Sequence, residues 1–244
     1  MNNFFRYDLT DAFEQYYVQL REKEGRMYTD AEVARLPAID NTHPYHHEWQ
    51  VRERSAKRLM NYIKRKRCEP DILEIGCGNG WLSAQLATVT KGKVVGIDIN
   101  GIELEQAQRV FHDIDNVTFM QCSIDDVELR DHRFDIIVFA ASMQYFPSLK
   151  KTIKQSIEHL TLQGEIHIID SEFYKQHQIA AAKERSKAYF DAAGFEEMAM
   201  FYFHHSIEEL KKLNATIYFD PHSFLNKWGK NRNPFYHAII KNQV

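Results

Sequence analysis

Eleven residues from Asp71 to Trp81, DILEIGCGNGW, join a short apolar run to a turn of three alternating glycines. The apolar run follows Pro70 and has the length of a buried strand. The segment from Trp81 to Ala87 has the apolar spacing of a helix. A strand that passes through a glycine turn into a helix presents unpaired backbone N–H groups to a ligand, and glycine permits positive φ and close approach there. The segment therefore predicts a ligand-binding turn.

Strand-like and helix-like segments alternate along the rest of the chain. Strands are predicted at 71–75, 93–98, 117–121, 134–139, 164–169, 216–219 and 236–240, and the helices between them at 81–87, 101–111, 149–160, 179–193 and 207–213. This alternation predicts an α/β fold, a doubly wound Rossmann-like sheet of seven mostly parallel strands with helices on both faces. Ligands bind such sheets at the carboxyl ends of the strands.

The glycine spacing separates two classes of nucleotide cofactor. In the nicotinamide-binding fingerprint G-x-G-x-x-G, counted from Gly76, the third glycine would fall on Trp81. The chain instead has E-x-G-x-G-x-G, with Glu74 two residues before the first glycine. This pattern resembles motif I of the class I S-adenosylmethionine (SAM)-dependent methyltransferases, and the resemblance covers about residues 70–170. It implies SAM as the cofactor.

The resemblance places cofactor contacts at the ends of the first three strands. Asp98 matches the family acid that binds both ribose hydroxyls, since a carboxylate can accept two hydrogen bonds from a vicinal diol. Glu74 matches the motif I acid near the aminoacyl end of the cofactor, with capping of loop N–H groups as the alternative. The candidates in this group are Glu74, Gly76, Cys77, Gly78, Asn79, Gly80, Asp98, Ile99, Ser123, Ile124 and Asp125.

One position departs from the family pattern. Ser123 stands where the family usually has an acid that reads adenine, so this contact is expected to pass to Asp125 or to backbone atoms. Cys77 and Cys122 are expected to be unreactive, and Cys122 is interpreted as a small buried filler. The cysteines form no C-x-x-C pair and no clustered carboxylates accompany the His204–His205 pair, so no metal site is expected.

Four further cofactor candidates lie outside these strand ends. Ala140 and Gln144 follow the fourth strand, and Gln144 is expected on the cofactor side. Trp49 and Arg52 begin the second N-terminal helix, where Arg52 would pair with the cofactor carboxylate. Packing plus a surface charge is the alternative interpretation of the last two residues.

Three residues are candidates for the chemistry itself: Tyr145, His204 and His205. Methyl transfer from a sulfonium is an in-line displacement that depends mostly on proximity and orientation. A hydroxyl acceptor also needs a base with a pKa near neutral, which histidine supplies, whereas an amine needs only its neutral form. Tyr145 follows the fourth strand, where the family lines its methyl-transfer site. A surface or core position is the ordinary alternative for each histidine.

The chain is expected to have a helical N-terminal cap at residues 1–67 and a Rossmann-like SAM-binding domain at 68–244, with 195–213 as a candidate lid. The cap contains predicted helices at 8–23 and 48–67. It either packs on the sheet or also closes over the cofactor and contacts the acceptor, and both interpretations are kept.

Charge and composition limit the partners. The net charge is −3, and no apolar run has the length of a membrane span, so neither nucleic acid nor a membrane is expected as a partner. Three cysteines without a disulfide pattern favour the reducing cytoplasm. A homodimer is left open.

The sequence thus predicts a SAM-dependent methyltransferase acting on a small-molecule acceptor by O- or N-methylation. A SAM-binding protein without catalysis is the alternative from another class, since methyl transfer requires no obligatory catalytic side chain. A nucleotide-cofactor oxidoreductase is disfavoured by the missing third glycine at Trp81.

Overall fold

The computed structural model describes residues 3–66, 68–228 and 232–242 of the 244-residue chain. Its strands are β1 (Ile72–Ile75), β2 (Val94–Asp98), β3 (Val117–Gln121), β4 (Phe134–Ala140), β5 (Leu160–Ile169), β6 (Phe173–Tyr174), β7 (His205–Ser206), β8 (Thr216–Phe219) and β9 (His237–Lys241). Seven of them form one sheet in the order β3-β2-β1-β4-β5-β9-β8. The first five in this order pair in parallel, and β9 is antiparallel to both of its neighbours. The predicted Rossmann-like α/β fold is confirmed.

Helices connect and cover the strands. They are α1 (Asn3–Lys23), α2 (Asp30–Val33), α3 (His46–Arg65), α4 (Trp81–Ala87), α5 (Gly101–Val110), α6 (Leu149–Glu158), α7 (Ile179–Ala193), α8 (Ile207–Lys212) and α9 (Phe224–Trp228). None of the helices within the described residues is long and apolar enough to cross a membrane.

Six of the seven predicted sheet strands match the observed ones to within one residue at each end. The exception is β5, which begins at Leu160, where the sequence predicts the end of a helix. Its first residue pairs with Phe134 across a register shift. The short pair β6 and β7 was not predicted, nor were α2 and α9. The predicted end of the second N-terminal helix, Arg67, lies outside the described residues.

Alternating residues of the central strands belong to two hydrophobic layers, one on each face of the sheet. Leu73 of β1 and Phe139 of β4 face the layer covered by α6 and α8. Ile72 and Val138 face the opposite layer, which contains residues of α3 and α4. Leu59 in α3 is fully buried there, so this N-terminal helix is part of the main core.

The first helix belongs to a separate, smaller cluster. Leu20 of α1 packs with Phe190 of α7 and with Met198, which lies in the 3₁₀ segment Glu196–Phe201. The N-terminal helix and the predicted lid region therefore contact each other beyond the sheet.

One carboxyl group is buried between β1 and α4. Glu74 is 2% exposed and accepts a hydrogen bond from the Ser83 hydroxyl at 2.5 Å. Burial, with a smaller contribution from the nearby Asp98 charge, raises the pKa of Glu74 to about 8 against the opposing effect of the bond from Ser83. The native protein therefore holds a proton at Glu74 at pH values where the unfolded chain has lost it.

This proton makes stability fall as pH rises through the window between the ordinary glutamate pKa and about 8, because the folded state binds more protons there. We expect Glu74→Gln to flatten the pH dependence by on the order of 1 kcal/mol per pH unit at most. Urea unfolding of the cofactor-free protein between pH 5 and pH 8 measures this. Glu105→Gln, on the exposed side of α5, is the matched control. Parallel curves for wild type and Glu74→Gln would contradict the buried proton.

Gly76, at the end of β1, adopts φ +76° and lies against Ser142 just beyond β4. A Cβ on Gly76 would come within 2.5 Å of the Ser142 Cβ. The Ser142 hydroxyl donates to the Ile75 carbonyl at 2.7 Å, which fixes the two chain segments together.

Gly76→Ala should destabilise the protein by roughly 2–5 kcal/mol, because a left-handed backbone costs about 1–2 kcal/mol and forced overlap about 1–3 kcal/mol. Gly25→Ala is the control, since Gly25 has φ +66° but nothing within 4 Å of an added Cβ. Gly25→Ala should lower the free energy of unfolding only by the cost of the left-handed backbone, about 1–2 kcal/mol. Equal losses for the two variants in urea unfolding would show that the contact with Ser142 adds nothing.

Candidate active site

The three turn glycines all have left-handed backbones, with φ values of +76°, +52° and +75° at Gly76, Gly78 and Gly80. The Gly78 N–H donates to Asp98 Oδ2 at 2.8 Å, which ties the turn to the end of β2. The other Asp98 oxygen accepts from the Asn100 N–H at 2.9 Å. The turn and the strand-two acid that the sequence paired are therefore in direct contact.

Three carboxyl groups surround this turn: Glu74 is buried, whereas Asp98 and Glu103 are half-buried. Burial raises the pKa of Asp98. Partial burial, together with the nearby Asp98 charge, raises the pKa of Glu103 to about 7. The Glu103 carboxylate would lie 3.2 Å from a Cβ on Gly78 and accepts from the Asn100 amide at 3.1 Å. The turn is thus an acidic, partly dehydrated site, and a cationic ligand would stabilise its carboxylates electrostatically.

These residues fit SAM, which carries a sulfonium, an ammonium and a ribose diol. Asp98 would hold the ribose hydroxyls, since an ionised carboxylate has acceptor sites beyond those already used by two N–H groups. Glu103 stands against the turn, where its charge favours a cation. Among the described residues, no group of three histidine, cysteine or acidic side chains could hold a metal ion.

The remaining turn residues act as packing and capping groups. Asn79 is buried, and its side-chain oxygen is 3.5 Å from the Trp81 N–H. Cys77 packs against Phe119, and burial raises its thiol pKa well above the ordinary range. A neutral thiol in this position is a poor nucleophile.

The segment after β3 forms a tight turn. The Ser123 N–H donates to Asp126 at 2.6 Å, and the Ser123 hydroxyl donates to Asp125 at 2.8 Å. Ile124 is buried, and its carbonyl lies 3.0 Å from a ring nitrogen of His159. The Ile99 carbonyl, at the end of β2, accepts from the Gln121 amide at 3.2 Å. Asp126 was not among the sequence candidates.

Strained backbone marks the ends of the next two strands. Ala141, directly after Ala140, has φ +54°, and Asp170 after β5 has φ +52°. The Gln144 amide donates to the Ala141 carbonyl at 2.5 Å. Asp170 is buried, which raises its pKa to about 6, and it accepts from the Ser55 hydroxyl of α3 at 2.5 Å. Left-handed non-glycine residues cost energy and cluster at functional sites.

A cavity of about 490 Å³ begins at Gln144 and Tyr145, beyond the end of β4. Its lining is aromatic and charged. The tyrosines, arginines and glutamates that line it are Tyr17, Tyr145, Tyr174, Tyr189, Tyr202, Arg21, Arg26, Arg52, Arg185, Glu24, Glu48 and Glu172.

One wall of this cavity is a chain of alternating charges. Arg21, Glu24, Arg26, Glu48 and Arg52 follow one another at distances of 3.4, 3.0, 2.7 and 2.9 Å. The central Arg26 contacts both carboxylates, while each of the two terminal arginines pairs with one acidic residue among those that the structure describes. These ion pairs fix the orientation of the Arg21 and Arg52 guanidinium groups, and so of their remaining N–H donors.

The charged wall adjoins the glycine turn. Both Arg21 and Arg52 act electrostatically on Glu103, which stands against the turn. The Arg52 guanidinium lies 5.2 Å from the Trp49 ring, and Trp49 packs edge-on against Trp81 at 5.3 Å. The structure therefore brings Arg52 to the site and makes Trp49 its buried support.

The two candidate histidines do not line the cavity. His205 is buried, with a ring nitrogen 3.2 Å from the Met143 carbonyl. His204 has a ring nitrogen 2.9 Å from the hydroxyl of Ser186, a residue that does line the cavity. Burial lowers the pKa of both imidazoles. Tyr145 lines the cavity directly.

Sequence reasoning missed Glu103 and every residue of the charged wall except Arg52. Arg21 and Glu24 are separated by one helical turn, which was a usable signal. The Arg26–Glu48 pair joins residues 22 positions apart across a loop, so only the fold reveals it. Glu103 lies three residues after the Asn100 helix cap, where an acid ordinarily serves the helix end.

Comparison with known proteins identifies the family. Residues 69–231 match a protein family described as a methyltransferase domain. A malonyl-[acyl-carrier protein] O-methyltransferase of Bacillus cereus is 27% identical over 47% of this chain and 43% of its own length. One from Acetivibrio thermocellus is 25% identical over 63% of this chain and 56% of its own. The chain spans about half the length of these curated relatives.

Solved structures share the fold at lower identity. The plantazolicin methyltransferase BpumL, in complex with S-adenosylhomocysteine (SAH), superposes with a TM-score of 0.58 at 16% identity, over 97% of this chain and 99% of that one. Geranyl diphosphate C-methyltransferase from Streptomyces coelicolor, also with SAH, gives 0.59 at 14% identity over 84% and 83%. SAH is the demethylated product of SAM. Together with the match of residues 69–231 to a methyltransferase domain, this confirms the expected cofactor. The chain belongs to the methyltransferase-domain family, within the class I SAM-dependent methyltransferases.

Proposed function

We propose that this protein transfers the methyl group of SAM to a small-molecule acceptor held in the tyrosine- and arginine-lined cavity, by O- or N-methylation. The observation that supports this most directly is that the cavity begins at Gln144, whose amide donates to the Ala141 carbonyl. The next residue, Ser142, lies against Gly76 of the glycine turn. The cofactor region and the cavity thus adjoin. When bound, SAM supplies an electrophilic methyl group on a positive sulfur.

The protein's contribution is mainly positioning. Rings of Phe13, Tyr17 and Tyr202 pack around Tyr145 at centroid distances of 5.4–5.9 Å, which holds Tyr145 at the cavity wall. A rigid aromatic wall excludes water and orients an acceptor for in-line attack. Several of the similar proteins are named for acceptors other than nucleic acid, including malonyl-[acyl-carrier protein] and geranyl diphosphate. These names support a small-molecule acceptor for this protein.

His204 is the candidate base for a hydroxyl acceptor, acting through Ser186. The Ser186 hydroxyl lines the cavity and contacts the His204 ring, so a proton could pass from the acceptor to serine while serine passes its own to the imidazole. His205 would serve as a positioning residue, because it contacts the Met143 carbonyl next to Gln144. An amine acceptor would need neither histidine.

The cofactor assignment is tested by Asp98→Ala. Loss of a charged hydrogen-bond acceptor worth roughly 1.5–3 kcal/mol should weaken SAH binding about 10- to 150-fold in isothermal titration. Asp131→Ala, on an exposed loop before β4, should bind SAH like the wild type. A loss below threefold for Asp98→Ala would remove this residue from the ribose contact.

The acceptor is first identified by screening a pool of metabolites with SAM for formation of SAH. The candidate base is then tested by measuring turnover of that acceptor. For a hydroxyl acceptor, His204→Ala and Ser186→Ala should each lower kcat by about 10²- to 10⁴-fold with SAH affinity retained. Burial and neighbouring positive charges lower the pKa of His204, so the wild-type rate should hold from pH 8 to about pH 6.5 and fall only in more acidic solution.

His112→Ala is the matched control, because His112 is an exposed residue just beyond α5. It should turn over at the wild-type rate. Wild-type kcat in both His204→Ala and Ser186→Ala with a hydroxyl acceptor would exclude the relay and leave positioning as the source of catalysis.

A further inference from the structure

A second cavity, of about 520 Å³, meets the first at three residues. Glu172, Tyr174 and Arg185 line both cavities, so they form the junction between them. The second cavity is otherwise lined by Phe173, His177, Gln178, Ala181, His222, Pro234 and Tyr236. Together the two spaces amount to roughly 1,000 Å³, which is the upper end of the range for a single small ligand. The shape suits an elongated molecule.

The acidic group at the junction is already engaged. The Tyr174 hydroxyl donates to the Glu172 carboxylate at 2.6 Å. This bond holds the tyrosine ring at the border of the two cavities, and the ring lies tilted by 44° against His204 at a centroid distance of 5.6 Å. Glu172 therefore bonds the neighbouring tyrosine and makes no ion pair with an arginine in the described part of the chain.

Arg185, on α7, differs from the other arginines of the first cavity. Arg21, Arg26 and Arg52 each pair with a glutamate. Arg185 makes no ion pair or hydrogen bond with any residue in the described part of the chain, although its charge acts on Tyr174 and His204. A guanidinium offers five donors in a planar fork that matches a carboxylate or a phosphate.

The charge of the two cavities also favours an anion. Their lining contains four arginines against three glutamates, in a chain whose net charge is −3. A positive local balance inside an acidic protein attracts a negatively charged ligand to this place.

We propose that the acceptor is an elongated anion whose carboxylate or phosphate binds Arg185 at the junction. Its methyl-accepting group would lie in the first cavity and an apolar or aromatic remainder in the second. This inference rests on the proposed function and specifies its substrate class. By binding the anionic group between the two ends of the ligand, the Arg185 guanidinium would determine which end lies in which cavity.

Three eight-carbon probes separate charge from shape: octanoate, octyl phosphate and the uncharged octanamide. In isothermal titration of the SAH complex, at least one anion should bind tenfold or more tightly than octanamide, and the tighter anion identifies the head group. Arg185→Gln should abolish this preference, and Arg185→Lys should retain part of it. Lys183→Gln is the matched control, since Lys183 is exposed on the same helix and lines neither cavity.

The second cavity is tested by Ala181→Trp, which places a large ring in that space alone. Octanoate should bind the wild-type SAH complex more tightly than butyrate, because its four extra methylenes enter the second cavity. Ala181→Trp should remove this difference and leave butyrate unchanged.

Octanamide binding as tightly as both anions, unchanged anion preference in Arg185→Gln, or no probe binding to the SAH complex would each overturn the inference. SAH affinity is measured in the same samples, so a folding defect in a variant is visible. Absence of SAH binding in the wild type would instead contradict the proposed function. Retained SAH binding without anion preference leaves that function intact and rejects only the anionic, elongated acceptor.

Discussion

The bond from the Gly78 N–H to Asp98 is the contact on which the rest of the site depends. It joins the turn after β1 to the end of β2, and it requires a left-handed residue at 78. Because the bond holds an acidic group in a buried place, it also raises the pKa values of the neighbouring Glu74 and Glu103, whose own burial is the larger cause. The turn therefore combines open geometry with unbalanced negative charge, and both features suit a cationic cofactor with a ribose.

The acceptor cavities, in contrast to the glycine turn, are lined by more positive than negative side chains. Segments from both halves of the chain supply this lining: α1, the turn after it and α3 give the alternating arginine and glutamate wall, and α7 gives Arg185. Where Arg21 and Arg52 approach Glu103, the positive wall meets the acidic turn. A positively charged cofactor and a negatively charged acceptor would thus each lie beside groups of opposite sign, in adjoining spaces.

Strand positions could be predicted from the sequence because hydrophobic runs and glycine turns are local signals. The start of β5 was missed, since Leu160 continues the apolar spacing of α6 and only pairing with Phe134 makes it a strand. The glycine turn and Asp98 were found for the same local reason. The environment of His205 was not, because it depends on pairing of β7 with β6, two-residue strands without a pattern of their own. Contacts between distant helices, such as Arg26 with Glu48, likewise depend on the assembled fold.

The central claim is that the buried and half-buried acids at the turn hold a cationic cofactor, and its most direct test is the number of protons released on binding. Calorimetry near pH 7 in buffers of different ionisation enthalpy measures it for SAM and for SAH, which lacks the sulfonium charge. A cation beside Glu103 and Glu74 lowers their raised pKa values, so SAM should release more protons than SAH. Equal proton release for the two ligands would contradict the account.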